Sequence, residues 1–289
     1  MEAERTSRSD SPRASGRNRL AASNTLATLI LLSSSLAVAS TTTSTSPDDG
    51  AIEETTADLS LDEVELKPPK VLARGAELFA ARCSRCHGPE GRGDGPIARF
   101  LDPWPSDLTR GVFKLRSTPT GHPPTEADLF RTITTGIPGT AMPSWAGLSL
   151  EDRWQVVWFV SSLFERDGLL PPEPIKLPEP PVNLGALAAK GAGVYQVMQC
   201  ARCHGTGGRG DGRDAFEIRD DAGRLVRPFD FSRSWKLKGG ASPKALYRTL
   251  WTGLDGTGMP SFGDALSPND TWALVAFVTT LFVDVRGGD

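Results

Sequence analysis

Apolar positions along the chain recur at helical spacing in stretches that come in matching pairs. Leu72, Leu78 and Phe79 form an apolar face running towards Cys83, and Gly88 stands where a helix would stop. Leu187, Val194 and Tyr195 repeat that face ahead of Cys200, with one extra residue before the cysteine. Trp154, Val157, Trp158, Ser161 and Phe164 share one face of a later helix, and Trp272, Val275, Ala276, Thr279 and Phe282 reproduce it 118 residues on. Ser149-x-x-Asp152 and Ser267-Pro268-x-Asp270 mark the starts of this pair. Another pair is bounded by Thr125-x-x-Asp128 and Gly136, and by Ser242-Pro243 and Gly253. The aromatic stripe is expected to be core, packed against the first helix of its own unit.

Three regions lack this periodicity. Residues 1–19 hold five arginines and three acids, and an apolar stretch beginning at Leu26 ends in Ala37-Val38-Ala39. A basic segment, a short apolar core and a small-residue site read as an export signal over residues 1–39, with a retained membrane anchor as the alternative. Arg17 and Arg19 are separated by Asn18, so the adjacent arginines of a twin-arginine signal are absent. Residues 40–70 are Ser/Thr-rich and then acidic, too poor in large apolar residues to bury a core, and are read as a disordered lead-in. Residues 167–186 form a linker with six prolines between Pro171 and Pro181, favouring an extended strap. Eleven such residues reach roughly 34 Å, enough to cross the face of a small domain.

The chemistry sits on the repeat. Cys83-Ser84-Arg85-Cys86-His87 returns as Cys200-Ala201-Arg202-Cys203-His204, and these four cysteines are all the chain has. Cys-x-x-Cys-His is the attachment signature of a c-type haem. On a helix its three reactive residues share one face, so two thiols can bond the vinyl groups of one haem while the imidazole reaches the iron. A redox-active disulfide, or one zinc site built from all four thiols, leaves the adjacent histidines unexplained. The zinc site must also join pairs 117 residues apart. Met142 and Met259 each lie 59 residues after the first cysteine of their unit, in the phrases Gly-Thr-Ala-Met-Pro-Ser-Trp and Gly-Thr-Gly-Met-Pro-Ser-Phe. Met198 has no counterpart and reads as an ordinary gap-filler.

The order helix, Cys-x-x-Cys-His, long loop, glycine-rich turn, Met-Pro, final helix resembles a class I cytochrome c written twice, over residues 71–166 and 187–285. The resemblance implies an all-α fold of two tandem haem domains, with two covalently bound haem c groups. It implies His87 and Met142 as axial ligands of one iron and His204 and Met259 of the other. The repeated run Gly91 to Gly95, matched at Gly208 to Gly212, is read as a tight turn passing close to a porphyrin. Asp107 to Arg110 with Phe113-Lys114, and Asp230 to Arg233 with Trp235-Lys236, place cations where haem propionates would want them, though solvated surface charge explains them equally. His122, between Gly121 and two prolines, reads as a loop histidine.

Charge narrows the partners. The whole chain is −3, and without residues 1–39 it keeps 27 basic and 32 acidic residues, which excludes a nucleic-acid binder. The function read from these residues is an exported dihaem electron carrier between periplasmic or membrane-bound redox proteins, with no small-molecule substrate. Two alternatives stay open: a dihaem peroxidase, and a fixed cytochrome subunit of an oxidoreductase or oxidase complex.

Overall fold

The computed structural model describes residues 69–164 and 173–283, all within one compact unit spanning 62–289. The export signal and nearly all of the acidic lead-in therefore lie outside the described residues. So do Pro171 and Pro172 of the linker. Among the described residues eight α-helices fall into two halves with the same plan. The first half holds α1 (Pro69–Arg82), α2 (Ser84–His87), α3 (Glu126–Thr135) and α4 (Leu150–Ser162). The second holds α5 (Ala188–Val197), α6 (Ala201–His204), α7 (Pro243–Thr252) and α8 (Pro268–Thr280). Among the described residues there is no strand, only an isolated bridge between Arg219 and Leu225. No described helix is long and apolar enough to cross a membrane.

The helix signals act as read. Thr125 Oγ1 accepts from the Asp128 amide at 3.1 Å while Asp128 accepts from the Thr125 amide, closing a capping box on α3. Ser149, Ser242 and Ser267 cap α4, α7 and α8 by accepting from the Asp152, Ala245 and Asp270 amides. α1 begins at Pro69, two residues before the expected boundary, since proline is tolerated in the first turn of a helix.

In each half the first helix crosses the last at a glycine. A Cβ on Gly75 would collide with the Gln155 carbonyl, and one on Gly191 with the Ala273 carbonyl, so the two backbones touch. Phe79 meets Phe159 at 5.1 Å between ring centroids, and Tyr195 meets Phe277 at the same distance. This corrects the expectation for the tryptophans. Trp154 stacks on Phe130 of α3 at 4.5 Å and Trp272 lies 4.5 Å from Tyr247 of α7, so they cement the two later helices. The face that meets the first helix is one residue further round, because that is where the glycine permits close contact.

The extra residue of the second half is absorbed at one point. Cys83 donates its amide to Phe79, four residues back, at 2.8 Å; Cys200 donates to Tyr195, five residues back, at 3.0 Å. Gln199, inserted between them, takes a left-handed conformation with φ of 56°.

The identical 59-residue spacing hides two compensating insertions. From Cys83 to Asp107 is 24 residues, but from Cys200 to Asp230 is 30; the first half regains the difference before Met142. The surplus segments are a loop around Asp220 in the second half and one around Thr120 in the first. Both face the opposite half. Thr120 donates to the Thr252 carbonyl at 2.9 Å, the Gly121 amide to Asp255 at 3.0 Å, and Arg110 pairs with Asp221 at 3.4 Å. At the centre Arg116, almost fully buried, pairs with Asp255 at 2.9 Å and donates to the Thr252 carbonyl at 2.8 Å. The strap spans the pair: the Ile175 amide donates to the Ser117 carbonyl at 2.7 Å, and Glu179 pairs with Lys244 at 3.0 Å.

Candidate haem sites

α2 and α6 carry the attachment motifs. Their first cysteines act as N-caps, and each helix stops at a glycine in a non-helical conformation, Gly88 or Gly205. The four cysteines are free thiols, all half-buried. Burial pushes the Cys83 and Cys200 thiols up to about 11 and raises that of Cys203. A redox-active Cys-x-x-Cys needs a thiol depressed towards neutrality, so the environment disfavours that reading. Nor are the two pairs brought together: among the described residues no three His, Cys, Asp or Glu side chains converge on a common metal position. The four-thiol zinc site therefore has no geometry to support it.

Both histidines are oriented by a backbone carbonyl. His87 Nδ1 lies 3.3 Å from the Ser106 oxygen, and His204 Nδ1 lies 3.2 Å from the Phe229 oxygen. A carbonyl only accepts, so Nδ1 carries the proton and Nε2 keeps a free lone pair. Burial lowers the affinity of both rings for a second proton, with the carbonyl bond partly opposing it. The imidazoles thus stay neutral, the form in which a ring can bind iron.

Those carbonyls are held by a turn that repeats. Asp107 Oδ1 accepts from the Thr109 amide at 3.0 Å and its hydroxyl at 2.6 Å; Asp230 does the same with Ser232 at the same distances. The phrase was visible in sequence, but as a source of cations. Its stronger role is to fix the residue just before the aspartate, and so the histidine.

The glycine run packs tightly on the attachment helix. A Cβ on Gly95 would collide with the Arg85 carbonyl and one on Gly212 with the Arg202 carbonyl, so the close approach is to the attachment helix. The Gly93 amide donates to His87 at 2.7 Å and the Gly210 amide to His204 at 2.9 Å, which closes the free carbonyl end of each helix.

Met142 and Met259 sit in loops with the same hydrogen bonds. The Ile137 amide donates to the Met142 carbonyl at 3.1 Å, as Leu254 does to Met259. Thr140 Oγ1 accepts from the Met142 amide at 3.1 Å and Thr257 Oγ1 from the Met259 amide at 3.2 Å. Both side chains are half-buried yet belong to neither core cluster, whereas Met198 packs into the second core as a gap-filler does. His122 is exposed in its turn.

The residues present fit a haem c in each half: two thiols on one helical turn, a neutral imidazole with a free lone pair, and a thioether held outside the core. Of the predicted propionate cations, Arg110 and Arg233 are paired with Asp221 and Asp230, and Lys236 is exposed. Lys114 is half-buried in a cavity of about 150 Å³ between the halves, lined also by Trp104, Asp107, Asp221, Arg224 and Asp255. Lys238 and Arg116 stand out only in the structure, since nothing in their local sequence marks a cation as buried.

The model of the family described as cytochrome c oxidase, cbb3-type, subunit III matches residues 70–160 and again 186–278. A chain of the Kuenenia stuttgartiensis reducing HAO-like protein complex is 38% identical, with a TM-score of 0.70, over 73% of this chain and 96% of that one. Among curated proteins there is no match.

Proposed function

We infer the function from one premise: the chain belongs to the family described as cytochrome c oxidase, cbb3-type, subunit III, and carries its cytochrome c domain twice. We propose that it relays single electrons between redox proteins through two covalently attached haems. Cys83 and Cys86 would hold one haem by thioether bonds, with His87 and Met142 as ligands; Cys200, Cys203, His204 and Met259 would hold the other. When bound, the haem iron supplies the one-electron redox chemistry. The chain's own residues fix the neutral tautomer of each histidine, through Ser106 and Phe229, and present each methionine from a loop rather than from the core. The observation that carries the reading is this repetition of the whole arrangement, thiols, oriented imidazole and methionine loop, in both halves.

Thioether ligation by Met142 and Met259 would raise each haem's potential and keep small molecules off the iron, which suits a carrier. Met142→Ala should open the first haem to carbon monoxide and lower its potential, and Met259→Ala should do so at the second. Met198→Ala should do neither. If reduced wild-type protein already binds one carbon monoxide per chain, the carrier reading fails and peroxidase-like chemistry takes its place.

A second reading, a fixed subunit of a larger oxidoreductase, is favoured by the family's description and by a solved relative that comes from a protein complex. The two part on affinity. A fixed subunit stays with its partners at stoichiometric ratio through a high-salt wash, while a mobile carrier is released.

A further inference from the structure

The two methionine loops share a turn but not its support. The Thr140 amide donates to the Ile137 carbonyl at 3.2 Å and the Thr257 amide to the Leu254 carbonyl at 3.1 Å. The third residue of each turn is a left-handed glycine, Gly139 with φ of 70° and Gly256 with φ of 74°. Proline is favoured at the second position of such a turn, because its ring presets the backbone. The first half has Pro138 there. The second has Asp255, and it has Gly258 where the first has Ala141. The second loop is therefore the less self-supporting of the two.

The opposite half supplies what that turn lacks. Arg116 donates to the Thr252 carbonyl at 2.8 Å and pairs with Asp255 at 2.9 Å. Thr120 donates to the same carbonyl at 2.9 Å, and the Gly121 amide to Asp255 at 3.0 Å. A Cβ on Gly256 would come 3.3 Å from Val112 Cγ1, so the turn also packs against the first half. The Gly256 carbonyl accepts from the Asp221 amide at 3.2 Å, and Asp221 is itself paired with Arg110. Arg116 is fixed from its own side as well, donating to the Phe113 and Pro119 carbonyls at 3.2 and 3.4 Å. A charged pair with further donors on both partners fixes geometry as well as position. At the first loop the contact across the interface is the packing of Lys236 against Gly139. Pro138, at the position of Asp255, has neither a charge nor an N–H to offer.

We propose that Arg116 is a positioning residue for Met259. With Thr120 and Gly121 it clamps the second methionine loop from the first half, acting through Thr252 and Asp255. Met142 is held by its own proline turn. Docking of the halves therefore keeps the sixth position of the second haem filled, and undocking opens that haem and not the first. The assignment rests on the reading of Met259 as an iron ligand.

The test uses the exported, haem-loaded chain and reads haem content, carbon monoxide bound after reduction, and amide hydrogen exchange over residues 136–142 and 253–259. Arg116→Met should keep two haems, speed exchange over 253–259 but not over 136–142, and bind one carbon monoxide per chain where wild type binds none. Adding Met259→Ala should leave that count at one, while adding Met142→Ala should raise it to two. Arg116→Met with Asp255→Pro, which copies Pro138, should return both readouts towards wild type. Thr120→Val removes a single bond and should shift exchange over 253–259 in the same direction by less, which keeps the test open should Arg116→Met fold poorly. Faster cleavage of the strap in Arg116→Met, with no carbon monoxide bound and exchange over 253–259 unchanged, would overturn the clamp. Equal loosening of both loops would overturn its one-sidedness. Carbon monoxide bound by wild type, or fewer than two haems in it, would overturn the ligand premise and the assignment with it. The exchange contrast needs no iron ligand, so it tells that failure from a failure of the clamp.

Discussion

In the first half Cys83 follows Phe79 by four residues; in the second Cys200 follows Tyr195 by five, and the difference vanishes within one residue because Gln199 turns left-handed. Beyond that point the halves agree bond for bond around the candidate haem ligands. Behind it they diverge. Tyr195 donates its hydroxyl to the Gly205 carbonyl at 2.6 Å where Phe79 has no such group. Phe231 stacks on His204 at 4.8 Å, while the first half places the buried Leu108 at the matching position. Trp272 is 3% exposed but Trp154 is only half-buried. The comparison separates two kinds of constraint. Backbone contacts to the attachment helix are the same in both copies. Side-chain packing behind it needs only the right volume and a helix arriving in register.

Truncating the tryptophans breaks the symmetry most. Trp272→Ala should destabilise the second half by about 3–5 kcal/mol, as expected for a fully packed aromatic. Trp154→Ala should cost clearly less, since part of its surface already meets water. Urea unfolding of each variant reads the difference, and equal losses would contradict the packing contrast.

The next effect belongs to neither half alone. Arg116→Met leaves Asp255, whose side chain is 14% exposed, with the Gly121 amide but no counter-charge, and removes the bond to Thr252. Breaking a buried pair in this way should cost about 3 kcal/mol. The loss should appear as loosened docking, measured as faster proteolysis in the strap, with both haems retained. An unchanged cleavage rate would show that the strap and the two loops suffice.

Glycine substitution at the single-residue insertion gives the smallest change and reverses sign between halves. Gln199→Gly relieves a left-handed side-chain residue and should stabilise by about 1 kcal/mol. Arg82→Gly, at the equivalent place before Cys83, lies in regular α1 and should destabilise by about 1 kcal/mol. Thermal melts of the two variants moving in the same direction would mean that the extra residue is not absorbed at Gln199.

The helices, their caps and the ligand-type residues were legible because each rests on local chemistry. Thr125 with Asp128 caps a helix whatever lies around it, and Cys-x-x-Cys-His presents one face on any helical turn. What could not be read is set by partners distant in sequence. The tryptophans turn to α3 and α7 because Gly75 and Gly191 let the first helix take the neighbouring face. Arg116 is buried because two loops of unequal origin close over it, and the equal spacing to Met142 and Met259 conceals both of them. Ser106 and Phe229 act through their carbonyls, which no side-chain pattern reports. Lys238 looks like any surface lysine until the second half docks on the first.

The central claim is that each half attaches its own haem through its own pair of thiols. The direct measurement is haem stoichiometry, by intact mass and by the spectrum of the pyridine-treated haem, on wild type and on Cys83→Ala/Cys86→Ala. Two haems in wild type and one in the variant, with the remaining haem on Cys200 and Cys203, is the predicted result. A variant that keeps both haems or loses both would contradict independent attachment.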